Sequence, residues 1–432
     1  MPSHIFPVIT NIEELRQKVA HKEEIRFMTQ PNGAIVCCYM VSAPTTFDDE
    51  WSREARGITF DQQGRVIGRP LSKFFNVNQK PETMAHLIDW SNVVRVMEKR
   101  DGSMIHTTRC VGSKFCAGAN FAFKSKKSYT SDVVLAMDSW LMGESSVNQG
   151  INFLDYLRFC NAMTKDGQTA IFEFTSPIAR IVLAYPAPSL TLLHVRDNYT
   201  GEYATRSQLE SWSNQFNIPL VEDADEIMQK MQSLIEGHPV AVSFNKDGMI
   251  HGYTATTVVE YLDLLVEHTE DMEGWVFQFA NGEMVKLKTK WYMDRHQAMT
   301  NLRTRDVAEM TLNETIDDLK SKLAGEGIDI SPIEAIETYV VATIDQIINH
   351  VEETCATLKK EVAVLSNGDA HQDRKIFVFM LKKQEDPCFG LIMQQYSGVE
   401  PNYKGYFTKN YLSTYDLQQI NFIDSAAEAD DA

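Results

Sequence analysis

No segment of this sequence approaches the run of about 20 apolar residues that a membrane-spanning helix needs, so no membrane association is expected. Met1-Pro2-Ser3-His4 opens none of the basic-then-apolar pattern of a secretory leader. Cysteine is sparse: the 432 residues hold seven, an odd number scattered along the chain. That argues against a disulfide framework and for a cytoplasmic protein. Cys37 and Cys38 lie side by side in an apolar run and read as core. Cys110 and Cys116 lie near His106 without the spacing of a zinc site. An excess of positive charge is also lacking, the formal net charge being -18. This argues against an extended, nonspecific nucleic-acid groove, which binds by replacing counterions with many lysines and arginines. A local cationic pocket remains open. What is present is ordinary: 44% hydrophobic and 23% charged residues place the chain among soluble globular proteins. The length allows two or three domains.

From 34 to 288 short β-branched or aromatic runs alternate with helical stretches. Strands are expected at 34–41, 92–98, 103–110, 169–175, 190–196, 239–243, 273–279 and 283–288, and helices around 129–142, 206–215, 224–235 and 256–268. Strands outnumber helices and hairpin signals recur, which predicts an α+β, mainly antiparallel domain over 1–288. Beyond it the pattern turns helical. Ser331-Pro332-Ile333-Glu334 has the form of a capping box with proline at the first helical position. Behind it Ile333, Ile336, Val340, Ile344, Ile347 and Val351 form one apolar helix face. Shorter helices near 292–309, 313–324, 371–383 and 404–413 complete an all-α domain over 289–422. Residues 423–432 read as a disordered tail, since Asp424–Ala432 has four acids and no base.

The residues richest in chemistry are Lys99-Arg100-Asp101-Gly102-Ser103. Val93-Val94-Arg95-Val96-Met97 before them reads as a strand, and Met104-Ile105-His106-Thr107-Thr108 after them begins another. The Asp-Gly pair signals a turn in which glycine takes up positive φ. Lys99 is thereby expected at a strand end, where a cleft can form. An ordinary lysine is protonated at neutral pH and cannot attack phosphorus; nearby cations or desolvation free the amine. Alone, the pattern fits a charged surface hairpin equally well.

Its company is more specific. Upstream lie Arg56-Gly57-Ile58-Thr59-Phe60 and Arg69-Pro70-Leu71-Ser72-Lys73-Phe74-Phe75-Asn76. Downstream come Phe123-Lys124-Ser125-Lys126, Phe172-Glu173-Phe174, Ser176-Pro177-Ile178-Ala179-Arg180-Ile181-Val182, Glu273-Gly274-Trp275-Val276, and Lys286-Leu287-Lys288 before Trp291-Tyr292. This order resembles the nucleotidyltransferase superfamily of polynucleotide ligases and mRNA capping enzymes. More closely it resembles the bacteriophage RNA ligase 1 family, whose members seal broken tRNA. The resemblance runs from about Tyr39 to about Tyr415. It includes Ile316-Asp317-Asp318-Leu319-Lys320 and Phe389-Gly390-Leu391-Ile392-Met393, in a region that DNA ligases and capping enzymes lack. The segment 206–270 carries none of these motifs.

The resemblance implies an ATP- and Mg²⁺-dependent RNA ligase. Lys99 would take AMP from ATP, pass it to an RNA 5′-phosphate, and an RNA 3′-hydroxyl would then expel it. Asp101 and Gly102 complete the nucleophile motif. Glu173 corresponds to the acid near the ribose hydroxyls, Glu273 to the metal-holding carboxylate, and Lys286 and Lys288 to the α-phosphate contacts. Arg56, Lys73 and Lys126 correspond to outer-phosphate positions, and Tyr39, Phe75 and Tyr292 to aromatics bounding the nucleotide. Core packing is an equal reading for Phe75. Asp317 and Asp318 correspond to a pair linked to a second metal through water, although a solvated helix face accounts for them more simply. The implied partner is tRNA broken in the anticodon loop, the implied state a monomer, and the compartment a host cytoplasm if the protein is phage-encoded. Six cations, Arg56, Lys73, Lys99, Lys126, Lys286 and Lys288, would make a polyphosphate site on an acidic protein.

Two other readings compete. An ATP-dependent DNA ligase or a capping enzyme would follow Lys288 with a small barrel of short strands, where this chain turns helical. A nonenzymatic tRNA-binding protein with a vestigial cleft would have lost residues such as Lys99, Glu173 and Glu273, all of which are present.

Overall fold

The computed structural model describes residues 6–111, 120–177, 181–246, 248–300, 304–325, 330–366 and 368–412. It divides into two compact units, the division falling between His296 and Gln297. The change of pattern in the sequence lies a few residues earlier, at 288/289. The tail 423–432 lies outside the described residues.

Two four-stranded sheets shape the first unit's site. One runs Phe75–Asn76, Met284–Lys288, Gly274–Phe279, Val93–Lys99, antiparallel except for its first pair. The other runs Ser189–Asp197, Gln168–Thr175, Ser103–Arg109, Phe121–Lys124, antiparallel throughout. The chain passes from one to the other between Lys99 and Ser103. The motif is thus a crossing between sheets and not a hairpin. A third antiparallel sheet, Ile25–Thr29, Ile35–Tyr39, Arg56–Phe60 and Val66–Gly68, carries Tyr39 and Arg56.

Strand alternation decides what each face meets. On the first sheet Trp275, Phe277, Val285 and Leu287 pack against Ile227 and Met231 of the helix Asp225–Ile235 and Tyr261, Leu262 and Leu265 of the helix Val258–His268. The motif-free segment 206–270 therefore backs the sheet that carries the lysines. Val276, Met284 and Lys286 face the other way, into a cavity. On the second sheet Phe172 and Phe174 meet the helices Asp132–Leu141 and Phe153–Lys165, and Glu173 between them faces the cavity.

In the second unit every described element is a helix. Its axis is Ser331–Leu365, whose buried stripe continues past Val351 through Cys355, Leu358 and Val362 to meet Phe377 and Leu381 of the helix Ala370–Lys383. Ser331 is the first residue of that helix and Ile330 stands in the cap position without a side-chain cap hydrogen bond, so Ser331 does not take the cap position that the expected capping box requires. Among the described residues no helix is long and apolar enough to cross a membrane. Five cysteines are buried free thiols; Cys110 is disulfide-bonded, which the scattered spacing gave no reason to expect.

Candidate active site

Lys99 ends its strand opposite Gly274, which in turn lies opposite Lys288 on the third strand. This row brings two lysines to the residue just before Gly274. Glu273 Oε1 lies 2.6 Å from Lys99 Nζ and 3.4 Å from Lys288 Nζ. Gly274 cannot be replaced without cost: its φ is +147° and a Cβ would fall 1.9 Å from the Leu287 carbonyl oxygen. Glu273 is 2% exposed. Burial pushes its carboxyl above the ordinary range, against the pull of Lys99 and Lys288. Its Oε2 is buried without a hydrogen-bond partner among the described residues. A lone carboxylate oxygen beside a cationic cleft fits a hard divalent cation such as Mg²⁺.

Asp101 is used up inside the protein. Its Oδ2 accepts the backbone N–H groups of Val182 and Leu183 at 2.8 and 2.7 Å, and its Oδ1 accepts the Tyr292 hydroxyl at 2.7 Å. The Asp101 N–H donates to the Tyr185 hydroxyl at 3.0 Å. Gly102 does not take up the positive φ expected of it. It is needed for close approach, since a Cβ there would lie 2.5 Å from the Phe174 carbonyl oxygen. Arg100 also finds a place, its guanidinium 5.1 Å above the Tyr185 ring.

The cavity gathers Arg56, Lys99, Asp101, Gly102, Glu173, Glu273, Lys286 and Tyr292 from the sequence assignments. Lys288 stands beside it, over the Tyr292 ring at 5.1 Å. The remaining outer-phosphate candidates collect around Tyr39. Gly57, at φ +109°, lies against the Lys126 carbonyl, where a Cβ would come within 2.4 Å, so Arg56 and Lys126 are drawn together. Lys126 Nζ donates to the Tyr39 hydroxyl at 3.0 Å, and Lys73 Nζ lies 6.0 Å from the same ring. Tyr39 itself is wholly buried in a core shared with Phe75. Lys73 and Phe75 line a second cavity of about 500 Å³, which shares Phe74 and Met284 with the first.

Asp317 and Asp318 belong to the second unit, exposed in the first turn of the helix Ile316–Gly325, with Asp317 paired to Lys320 at 3.1 Å. That is the solvated setting. Of the motif Ser176–Val182, residues 178–180 lie outside the described residues, while Ile181 lines the cavity.

Sequence reading missed the apolar wall. Leu71, Met97, Val221 and Met284 come from four distant segments, and each alone is an ordinary core residue. It also missed His194, which lines the cavity from the strand Ser189–Asp197. A strand histidine carries no signal without the register.

The profile of the phage RNA ligase 1 family, described as RNA ligase, matches residues 54–292, more than half of the chain. A relative from Thermovibrio ammonificans, named as a candidate RNA ligase, is 28% identical over 297 residues, covering 67% of this chain and 65% of its own length. This chain thus spans just under two thirds of that relative. Among solved structures, a candidate ATP-dependent DNA ligase from Aquifex aeolicus aligns at 13% identity over 79% of both chains with a TM-score of 0.38. An archaeal ATP-dependent RNA ligase aligns at 10% identity over 86% of both chains with a TM-score of 0.36. The profile match takes in Arg56, Lys99, Glu173, Glu273 and Lys286, and by it the chain belongs to the phage RNA ligase 1 family.

Proposed function

We propose that this protein is an ATP-dependent RNA ligase that joins 5′-phosphate and 3′-hydroxyl ends through an AMP adduct on Lys99, and that its RNA is a tRNA broken in the anticodon loop. The observation that carries the reading is the Lys99–Gly274–Lys288 row with Glu273 bound across it. It sets a lysine, a second cation and a carboxylate with a spare oxygen at one edge of a cavity that also has an apolar wall.

In the first step the Lys99 amine forms a bond to the α-phosphorus of ATP, and the bond to pyrophosphate breaks, the leaving group taking the electron pair. Glu273 Oε1, 2.6 Å from Nζ, is the near acceptor for the proton the amine sheds. Lys286 neutralises charge developing on the α-phosphate, and Lys288 holds Glu273 in place. Arg56, Lys73 and Lys126 receive the outer phosphates, and Glu173 accepts from the ribose hydroxyls. Glu273 Oε2 would hold Mg²⁺, which when bound draws negative charge from the α-phosphate. AMP then passes to an RNA 5′-phosphate, freeing Lys99, and the 3′-hydroxyl oxygen of the second end displaces AMP to complete the phosphodiester. Dividing the condensation this way replaces one difficult step by easier displacements.

The test is incubation with α-labelled ATP and Mg²⁺, followed by a denaturing gel. Wild type is expected to carry label, and Lys99→Ala and EDTA-treated protein none. Label retained by Lys99→Ala would place the nucleophile elsewhere, and equal labelling by GTP would overturn the ATP assignment.

A further inference from the structure

His194 is 2% exposed and lies where a regular strand would not put it. The pairing of Ser189–Asp197 with Gln168–Thr175 slips between Leu192, opposite Phe172, and His194, opposite Ile171. Consecutive strand residues ordinarily point to opposite faces, but a bulge re-aims one of them. Here both Leu193 and His194 line the Lys99 cavity. The bulge therefore delivers a polar ring into an otherwise apolar wall, that of Leu71, Met97, Val221 and Met284.

The ring is placed but not satisfied. It packs on Tyr203 with centroids 5.0 Å apart, and its buried Nδ1 has no hydrogen-bond partner among the described residues. Buried side-chain polar atoms are nearly always paired, so an unpaired one in a ligand cavity points to a partner that arrives with the ligand. Burial, with Arg95 and Arg196 adding to it, lowers the ring's pKa to about 3. It is neutral at working pH, with one nitrogen donating and the other accepting. A neutral ring suits an uncharged base and not a phosphate.

Resting on the lysyl-AMP reading above, we propose that His194 is a specificity-determining residue that hydrogen-bonds the edge of the adenine base. The cationic residues Arg56, Lys99 and Lys286 take the phosphates, Glu173 the ribose, and the apolar wall with His194 the base. Adenine offers a ring-nitrogen acceptor beside the N6 amine, where guanine replaces the amine with a carbonyl acceptor.

The experiment measures lysyl-AMP formation by the full chain with ATP and with base-edited triphosphates. These are purine riboside (no N6 amine), 1-deaza, 3-deaza and 7-deaza. Wild type is compared with His194→Phe, which keeps a ring on Tyr203 but has no nitrogen, and with His194→Gln. On wild type at least one analogue is expected to lose about tenfold in kcat/KM, chiefly through KM. In His194→Phe that analogue and ATP should react within about twofold of each other. Should His194→Phe lack the wild-type melting transition, His194→Gln decides, because its amide does not superpose on the ring nitrogens. The same analogue's penalty should then shrink at least threefold. Penalties identical in wild type and variant overturn the assignment while leaving lysyl-AMP formation intact. Failure of wild type to form any adduct overturns the lysyl-AMP reading and this one with it.

Discussion

Asp101 and Tyr292, 191 residues apart, are joined by a 2.7 Å hydrogen bond that ties the Lys99–Gly102 segment to the start of the helix Lys290–Thr300. The same carboxylate holds the backbone of Val182 and Leu183. Asp101 therefore acts as a clamp that draws three segments around Lys99, and its oxygens are already occupied by protein donors.

The clamp predicts a graded series. Asp101→Ala removes the acceptor shared by two N–H groups and a hydroxyl, bonds to a charged group worth about 1.5–3 kcal/mol each before water partly replaces them, and should slow lysyl-AMP formation by about a hundredfold. Asp101→Asn can turn its oxygen to Val182 and Leu183 and its amide to the Tyr292 hydroxyl, so it should retain more activity. Tyr292→Phe loses one bond and should be milder still. Single-turnover rates of adduct formation order the three, and an Asn variant as poor as Ala would refute the clamp.

Gly274 makes a sharper prediction. Gly274→Ala sets a methyl 1.9 Å from a backbone oxygen at φ +147°, so either the strand pair Gly274–Phe279 and Met284–Lys288 parts or the chain at Glu273 rotates away. Both break the Lys99–Glu273–Lys288 grouping. Adduct formation should fall below detection, with a loss of stability of about 2 kcal/mol or more. Chemical denaturation and the labelling gel read the two effects separately. Wild-type rates in this variant would mean that the row is not the catalytic arrangement.

A buried network predicts acid sensitivity. Glu54 lies between Arg69, at 2.9 Å, and Arg196, at 2.7 Å, all three essentially without exposure. Burial alone would raise the Glu54 carboxyl, but Arg196 and Arg69 outweigh it and hold it at about 2. The unfolded value is about 4.3. The carboxylate's stabilisation is thus complete above that value and is lost as pH falls from about 4.3 through about 2. Glu54→Gln leaves two guanidinium groups buried without an anion and should cost about 3–5 kcal/mol at neutral pH. Its melting temperature should fall less steeply than that of wild type between pH 4.5 and 3. Parallel slopes would remove Glu54 as a source of acid sensitivity.

How much of this was legible follows from what carries each feature. The strands bearing Lys99, Glu173 and Lys286 are strongly patterned, and their limits agree with the sequence to within one or two residues. The strand Arg56–Phe60 is buried along its whole length, so alternation gives no sign of it. Gly102 and Gly274 are glycines for reasons of close approach across the sheet, a property of tertiary contact that no local turn rule contains. Tyr39 sits in core although its hydroxyl serves Lys126. His194 depends on a bulge, and a bulge is a matter of register between two strands. The pattern within strands is local; the wall of the cavity is assembled from segments that only the fold brings together.

The last prediction concerns the division of labour between the two units. Every nucleotide assignment except the exposed Asp317 and Asp318 falls at or before Tyr292, and the His296 ring stacks on Tyr292 with centroids 5.7 Å apart. The second unit has its own core around Val351, Leu358, Phe377 and Leu381, so it needs no nucleotide to fold. A helical unit of this kind is suited to recognising RNA shape and single-stranded loops. The chain cut after His296 should therefore still form the AMP adduct on Lys99 and still seal simple RNA ends, at a rate within about tenfold of the whole protein. It should lose the preference for a tRNA broken in the anticodon loop over an unstructured strand of equal length. Competition between those two substrates, run with whole and shortened chains at several salt concentrations, separates this from a loss of general RNA affinity. A general loss lowers both substrates together and shrinks as salt rises, because removing phosphate contacts flattens the salt dependence, whereas loss of recognition lowers the tRNA alone. An unchanged preference ratio in the shortened chain would put tRNA selection in residues 1–296.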